Sequence, residues 1–318
     1  VASELPAEFA LIARHFRPLA GAGALDLQDD AAVLLPPPGR ELVLTCDAMV
    51  AGVHFLADDP PDLVGRKLLR VNLSDLAAKG ATPIGYLMTV STPRDTPDAW
   101  FADFSAGLKQ DQSKYGITLL GGDTTSTPGP ISLSLTAIGH VAPGRAVHRA
   151  GAAPGDGIWV TGTIGDGALG LAVARGEISD PTGHLLSRYR LPRPRVGVAI
   201  AGVASAGMDI SDGLVQDLGH ICRASSAAAE IDAGLVPLSN PARSAGPDWL
   251  ATCLTGGDDY ELLLAVPPAK ESTLRQVAQA AGVAVTRIGV FRSGPPEVMV
   301  LGSSGTPMSL DRGGWSHF

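Results

Sequence analysis

The sequence predicts a mixed α/β (α+β) protein of two domains. Three observations predict it. Compact apolar runs of strand length alternate with longer stretches whose apolar residues recur at helical spacing. A turn-rich stretch from Arg145 to Asp156 interrupts that alternation, and the pattern restarts after it. At 318 residues the chain is long enough for two domains of ordinary size. A boundary drawn through the turn-rich stretch puts residues 1–148 in the first domain and 149–318 in the second.

The elements follow in order. Glu8 to Phe16 places Phe9, Ile12, Ala13 and Phe16 at helical spacing, which predicts a short leading helix. Glu41–Thr45 is a compact apolar run, a strand ending at Asp47. Pro61–Ala78 opens with proline and aspartate and stops before Gly80, so a helix is predicted with both of its end signals. A strand over Ile84–Ser91 precedes a helix over Pro97–Tyr115, with Trp100, Phe101, Phe104 and Leu108 on one face. Strands over Ile117–Leu120 and Ile131–His140 follow, the second alternating cleanly. Beyond the break come a strand over Gly157–Thr161, helices near Ala168–Ala174 and over Pro194–Ala204, a strand over Met208–Ile210 and a helix over Asp212–Ala224. Further strands are predicted at Ala228–Ile231, Glu261–Val266, Val285–Val290 and Val298–Leu301, with a helix over Ala269–Ala281.

Composition narrows the function. Apolar residues make up 45% and charged residues 18%, so the chain can bury a sizeable core. Its 24 basic and 32 acidic residues give a net charge of −8, which argues against a nucleic-acid or membrane-surface role. No signal peptide is evident, and no apolar run approaches the roughly 20 residues of a membrane helix. Three cysteines without a close pair suggest a reducing compartment and no structural zinc. The expectation is a soluble cytoplasmic protein.

Its chemistry centres on aspartates at the ends of apolar runs: Asp29-Asp30, Asp47, Asp75, Asp123, Asp209, Asp212 and Asp258-Asp259. Gathered carboxylates must be paired, protonated or neutralised by metal, and five lysines are too few to pair them. Magnesium, which shares oxygen ligands with a substrate phosphate, answers that need. Each segment also has a plainer reading. Asp75 sits near the end of a helix, where an acid opposes the helix dipole unless something compensates. Gly121-Gly122-Asp123 can approach a metal or phosphate, or can be an ordinary turn. Asp209-Ile-Ser-Asp212 can present oxygens at a helix start, or Ser211 or Asp212 can simply be its N-cap. Gly256-Gly-Asp-Asp-Tyr-Glu261 marks a polar ligand or a solvated loop. No lysine follows a glycine, so there is no P-loop. Gly165-Asp-Gly-Ala-Leu-Gly170 matches a dinucleotide fingerprint, but without the acidic strand end expected about 20 positions on it reads better as a tight turn under a closely packed helix.

Taken in order, several segments resemble the thiamine-monophosphate kinase family, of the superfamily that includes aminoimidazole ribonucleotide synthetase. They are Asp29-Asp30-Ala-Ala, Thr45-Cys-Asp47, Gly52-Val-His-Phe55, Val71-Asn-Leu-Ser-Asp-Leu-Ala-Ala-Lys-Gly80, Gly121-Gly-Asp-Thr124, Met208-Asp-Ile-Ser-Asp-Gly-Leu214, Gly256-Gly-Asp-Asp-Tyr260 and Gly314-Trp-Ser-His-Phe318. The resemblance implies ATP-dependent phosphorylation of thiamine monophosphate by direct in-line transfer, assisted by several magnesium ions. It implies that Asp30, Thr45, Asp47, Asp75, Asp123, Asp209 and Asp212 hold metal, with Asp47, Asp75, Asp123 and Asp212 central to catalysis. It implies that Tyr115, Gly122, Asp123, Arg149 and Ser211 contact ATP, and that His54, Asp258 and Trp315 contact thiamine monophosphate. The implied architecture is the two-domain aminoimidazole ribonucleotide synthetase-like fold. Its N-terminal ATP- and metal-binding sheet pairs across a homodimer, and its C-terminal α/β domain closes the cleft.

Three positions depart from the family pattern: Gln28 replaces a glycine, Cys46 a threonine and Asp258 a glutamate. A cysteine cannot supply a side-chain oxygen, so Cys46 is not counted among the metal ligands. The alternatives are another ATP-dependent enzyme of the superfamily, such as aminoimidazole ribonucleotide synthetase, or a catalytically silent nucleotide- or metal-binding dimer.

Overall fold

The computed structural model describes residues 7–302, 304–311 and 313–316. The chain divides into two compact units. One runs to Leu76 and resumes over Ala81–Pro143; the other takes Ala77–Gly80 and the chain from Gly144 onward. Among the described residues no helix is long and apolar enough to cross a membrane.

The first unit begins with α1 (Ala7–Leu11), which runs on through a π turn to Phe16. It continues with β1 (Glu41–Val50), α2 (Pro61–Ala78), β2 (Thr82–Thr92), α3 (Asp98–Tyr115), β3 (Thr118–Ser126) and β4 (Ser132–Val141). The strands form one sheet in the order β1-β4-β2-β3. β4 is antiparallel to both neighbours, whereas β2 and β3 are parallel, which requires the crossover that α3 supplies.

Alternation decides the two faces of this sheet. Leu133, Leu135 and Ala137 of β4 are buried, as are Tyr86, Met88 and Val90 of β2. This face meets the helices, as the hydrogen bond from Gln112 of α3 to the Tyr86 hydroxyl shows. The opposite face leaves Leu42 and Leu44 of β1 and Leu87 of β2 exposed.

The second unit contains β5 (Gly157–Thr161), α4 (Asp166–Ala174), α5 (His184–Arg190), β6 (Ala206–Asp209), α6 (Leu214–Ser225) and β7 (Ala228–Asp232). It is completed by α7 (Asn240–Ser244), α8 (Leu250–Thr255), β8 (Leu262–Val266), α9 (Glu271–Ala280), β9 (Val285–Arg292) and β10 (Val298–Leu301). The six strands are ordered β10-β7-β9-β5-β8-β6. Both faces of the central strands are covered. Ile158, Val160, Leu263 and Ala265 pack with Leu214, Leu218 and Ile221 of α6. Trp159, Leu262, Leu264 and Val266 pack with Leu274 of α9 and with Val198, Ile200 and Val203. Ala77 and Ala78, the last two residues of α2, belong to that second cluster.

Three expectations need correction. β1 continues to Val50 and β3 to Ser126, so Asp47 and Asp123 lie inside strands rather than at or beyond their ends. The helix expected over Pro194–Ala204 does not form. Val196, Val198 and Ile200 alternate along an irregular chain, and left-handed Gly197 and Gly202 break any helical path. α6 starts at Leu214, with Gly213 rather than Ser211 or Asp212 as its N-cap. The short helices α5, α7 and α8 had no predicted counterpart.

Candidate functional site

In the first unit the helix-side face gathers Thr45, Asp47 and Asp75. Thr45 and Asp47 sit two apart on β1 and so share a face. The Thr45 hydroxyl donates to Asp75 Oδ2 on α2 at 2.5 Å. Fully buried Asn72, one turn earlier on α2, accepts the Asp47 backbone N–H at 3.1 Å and donates to Leu68 O. Asn72 is therefore the strut that sets β1 against α2. It stands inside the recognised Val71–Gly80 segment, but nothing in its side chain distinguished it there.

Asp123 lies elsewhere. The cross-strand register aligns Ala48, Ser134, Thr89 and Asp123 in one row, the row that faces away from the helices. β1 and β3 are the two edges of the sheet, three strand spacings or about 14 Å apart. The structure thus does not bring Asp123 to Asp47 and Asp75 within one chain. It does bring Asp123 and Gly122 to a cavity of about 620 Å³ that is also lined by Asp29, Asp30, Phe16 and Leu87. Cys46 shares the open face, its Sγ 3.6 Å from Ser134 Oγ, so its side chain points away from the Thr45–Asp75 pair.

His54 lies in the turn after β1, where its Nδ1 accepts the Val50 N–H at 3.0 Å and its carbonyl accepts Lys67 Nζ. Tyr115 ends α3, with Lys114 Nζ 5.0 Å and Arg70 Cζ 5.9 Å from its ring centre.

In the second unit four of the expected residues converge. Ser211 and Asp212 form the turn between β6 and α6. The Asp258 N–H donates to Ser211 O at 2.9 Å, the Tyr260 N–H to Ile210 O at 2.8 Å, and the Trp315 N–H to Asp212 O at 2.9 Å. Gln216 Nε2 bridges Asp212 Oδ2 and Trp315 O. Asp258 and Tyr260 adopt left-handed φ values of 70° and 52°, a strained path that these backbone bonds hold in place. Asp209, buried, ends β6. Arg149 accepts Ser225 Oγ on its carbonyl, and its charge acts on His220 of α6. The end of the Gly314–Phe318 segment, His317-Phe318, lies outside the described residues.

Two carboxylates organise this region from behind: Asp217, which the sequence did not single out, and Asp259, one of the aspartates at the end of an apolar run. Asp217, fully buried on α6, accepts the N–H groups of Ser211, Asp212 and Gly213 on one oxygen, Oδ2, at 3.0, 3.0 and 3.2 Å. Burial, and then the Asp212 carboxylate, push Asp217 up to about 7, against the pull of those bonds. Asp212, Asp217 and His220 hold ligand atoms within 4.8 Å of one another, the one such acid–histidine group found among the described residues. His220 is kept below its ordinary value by burial and by Arg223 and Arg149.

Asp259 accepts the N–H groups of Gly165 and Gly167 at 2.6 and 3.0 Å. The donors that a dinucleotide phosphate would need are thus taken by the protein's own acid. A Cβ at Gly170 would stand 2.1 Å from Leu185 O, so the glycines serve close packing. The Asp-Asp-Tyr-Glu acids therefore separate by role. Asp259 and Glu261 are structural, Glu261 being paired with Arg188 and Arg195 and hydrogen-bonded by Thr161. Asp258 alone stays half-buried beside Ser211.

Comparison with known proteins gives one consistent result. Residues 28–141 match the N-terminal domain of AIR synthase related proteins, and residues 153–302 the C-terminal domain. A thiamine-monophosphate kinase of Caulobacter vibrioides is 46% identical over 98% of this chain and 91% of its own length. The crystal structure of thiamine-monophosphate kinase from Stenotrophomonas maltophilia K279a, 39% identical, superposes with a TM-score of 0.81 over 92% of this chain and 96% of that one. AaThiL complexed with AMPPCP and TMP, 32% identical, superposes with a TM-score of 0.79 over 91% of each chain.

Proposed function

Because the chain belongs to the thiamine-monophosphate kinase family of AIR synthase related proteins, we infer that it phosphorylates thiamine monophosphate with ATP, giving thiamine diphosphate and ADP by direct in-line transfer. Within the molecule, the observation that carries this reading is the Thr45 hydroxyl's bond to the Asp75 carboxylate, with Asp47 two residues on along the same strand face. That donor set is all oxygen, with no thiolate or imidazole, which suits magnesium and not a softer ion.

Asp30, Thr45, Asp47, Asp75 and Asp123 of the first unit, with Asp209 and Asp212 of the second, would hold the magnesium ions. Once bound, magnesium would offset the mutual repulsion of two polyanions and the charge developing on the transferred group. The protein's own part is positioning. Asn72 and Thr45 fix the Asp47 backbone and the Asp75 carboxylate before any ligand arrives. Tyr115, Gly122, Asp123, Arg149 and Ser211 contact ATP. His54, Asp258 and Trp315 contact thiamine monophosphate, the half-exposed indole offering a face to the cationic thiazolium. No strong general base is required, since a phosphate acceptor is already ionised near neutral pH.

The active form on this reading is a cytoplasmic homodimer, with residues 1–148 as the ATP-binding and dimerisation domain. Exposed Leu42, Leu44 and Leu87 form an apolar patch on the open sheet face, and a second copy would cover it. With the two sheets paired at their edges, Asp123 on the β3 edge would meet the partner's β1 edge, which carries Asp47, rather than β1 of its own chain. The test is formation of thiamine diphosphate from thiamine monophosphate and ATP, with magnesium and with EDTA. Magnesium-dependent product matched by ADP is expected; folded, ATP-binding protein that makes none would turn attention to another acceptor, aminoimidazole ribonucleotide synthesis first.

A further inference from the structure

We propose that Asp217 is a positioning residue for the phosphoryl transfer, acting through the backbone of Ser211-Asp212-Gly213. The inference rests on the kinase reading above. A helix N-terminus ordinarily offers free N–H groups, and these attract phosphate directly. In the turn that leads into α6, the N–H groups of Ser211, Asp212 and Gly213 are not on offer. Gly213, at the N-cap, makes no side-chain cap, and its φ of 125° carries the turn into the helix. Asp217, one turn inside α6, reaches back and takes three consecutive N–H groups on a single oxygen.

The carbonyl side of the turn is spoken for as well, by Asp258 at Ser211 and by Trp315 at Asp212. With its backbone used up inside the protein, the turn can serve a ligand only through side chains, the Ser211 hydroxyl and the Asp212 carboxylate. The turn thereby presents a hydroxyl and a carboxylate in fixed positions, and Asp217 acts on a bound cation only through that placement.

The hydrogen-bond pattern makes the idea separable from a general effect on folding. All three N–H groups go to Oδ2, while Oδ1 is buried without a hydrogen-bond partner. Asp217→Asn can therefore keep the three bonds on its amide oxygen. Asp217→Glu keeps the charge but moves the oxygens by one methylene. Asp217→Ala removes the strut.

The experiment combines kcat and KM for MgATP, Mn2+ binding followed by electron paramagnetic resonance with a non-hydrolysable ATP analogue, and amide exchange at residues 211–213. D217N is expected within about threefold of wild type in Mn2+ affinity and KM. D217E, and D217A where it folds, are expected to lose at least tenfold in both and to expose the three amides to exchange. Folded D217E matching wild type would overturn the proposal. So would D217N failing as badly as D217E, which would make the charge and not the geometry decisive. A wild type inactive on thiamine monophosphate would defeat the kinase reading, whereas the Mn2+ and exchange measurements would still report on Asp217.

Discussion

The Thr45 hydroxyl and the Asp75 carboxylate meet at 2.5 Å across a strand and a helix. A charge-assisted bond of that length fixes the carboxylate before a ligand arrives. Asp75→Asn keeps an acceptor for Thr45 but removes the charge. It is expected to lower kcat by about 10³-fold, the scale of loss when a preorganised electrostatic group is removed. Its melting temperature should stay within a few degrees of wild type, and steady-state ADP release with a thermal melt checks both. Near-normal turnover in the folded variant would remove Asp75 from the mechanism. At this scale the sequence singled out Thr45 and Asp75, which the structure joins, and Ser211, Asp212, Asp258 and Trp315, which it brings to one turn. The role of residues acting from behind was not legible. Asn72, Asp217 and Asp259 each serve backbone N–H groups, and a backbone partner leaves no trace in residue type.

At the scale of elements, long periodic segments were easy to read: α2 was predicted over the residues it occupies, and β4 within a residue or two. What was lost were short helices, irregular buried chain and strand ends. β3 is the instructive case. Gly121-Gly122 looked like the end of a strand, yet both residues pair with β2. The pairing is so close at Gly122 that a Cβ there would lie 1.7 Å from Met88 O. Gly122→Ala must push β3 away from β2 and displace Asp123 with it. The expected loss is about 3 kcal/mol of stability, at the upper end for overpacking, together with ATP binding. Gly116→Ala, left-handed but with open space around it, should cost about 1 kcal/mol. Urea unfolding midpoints of the two variants test the contrast.

At the scale of the whole molecule, the separation of Asp123 from Asp75 within one chain has a measurable signature. Asp75→Asn and Asp123→Asn should each be inactive alone. In the proposed homodimer, the two variants mixed by co-expression should recover up to about a quarter of wild-type activity, since half of random dimers would be mixed and each mixed dimer would restore one of two sites. No recovery, in samples shown to contain mixed dimers, would place both residues in one chain's site. A boundary through the turn-rich break misses one feature of the two units: Ala77–Gly80 is grouped with residues beyond the break. Ala77 and Ala78 sit among Trp159, Val198 and Ile200, Lys79 O accepts the Val147 N–H, and Lys79 Nζ donates to Gly207 O. A gene fragment opening at Gly144 would therefore encode a domain with a piece of its own interior missing. The later half of this protein is an incomplete inheritance without four residues of the earlier one.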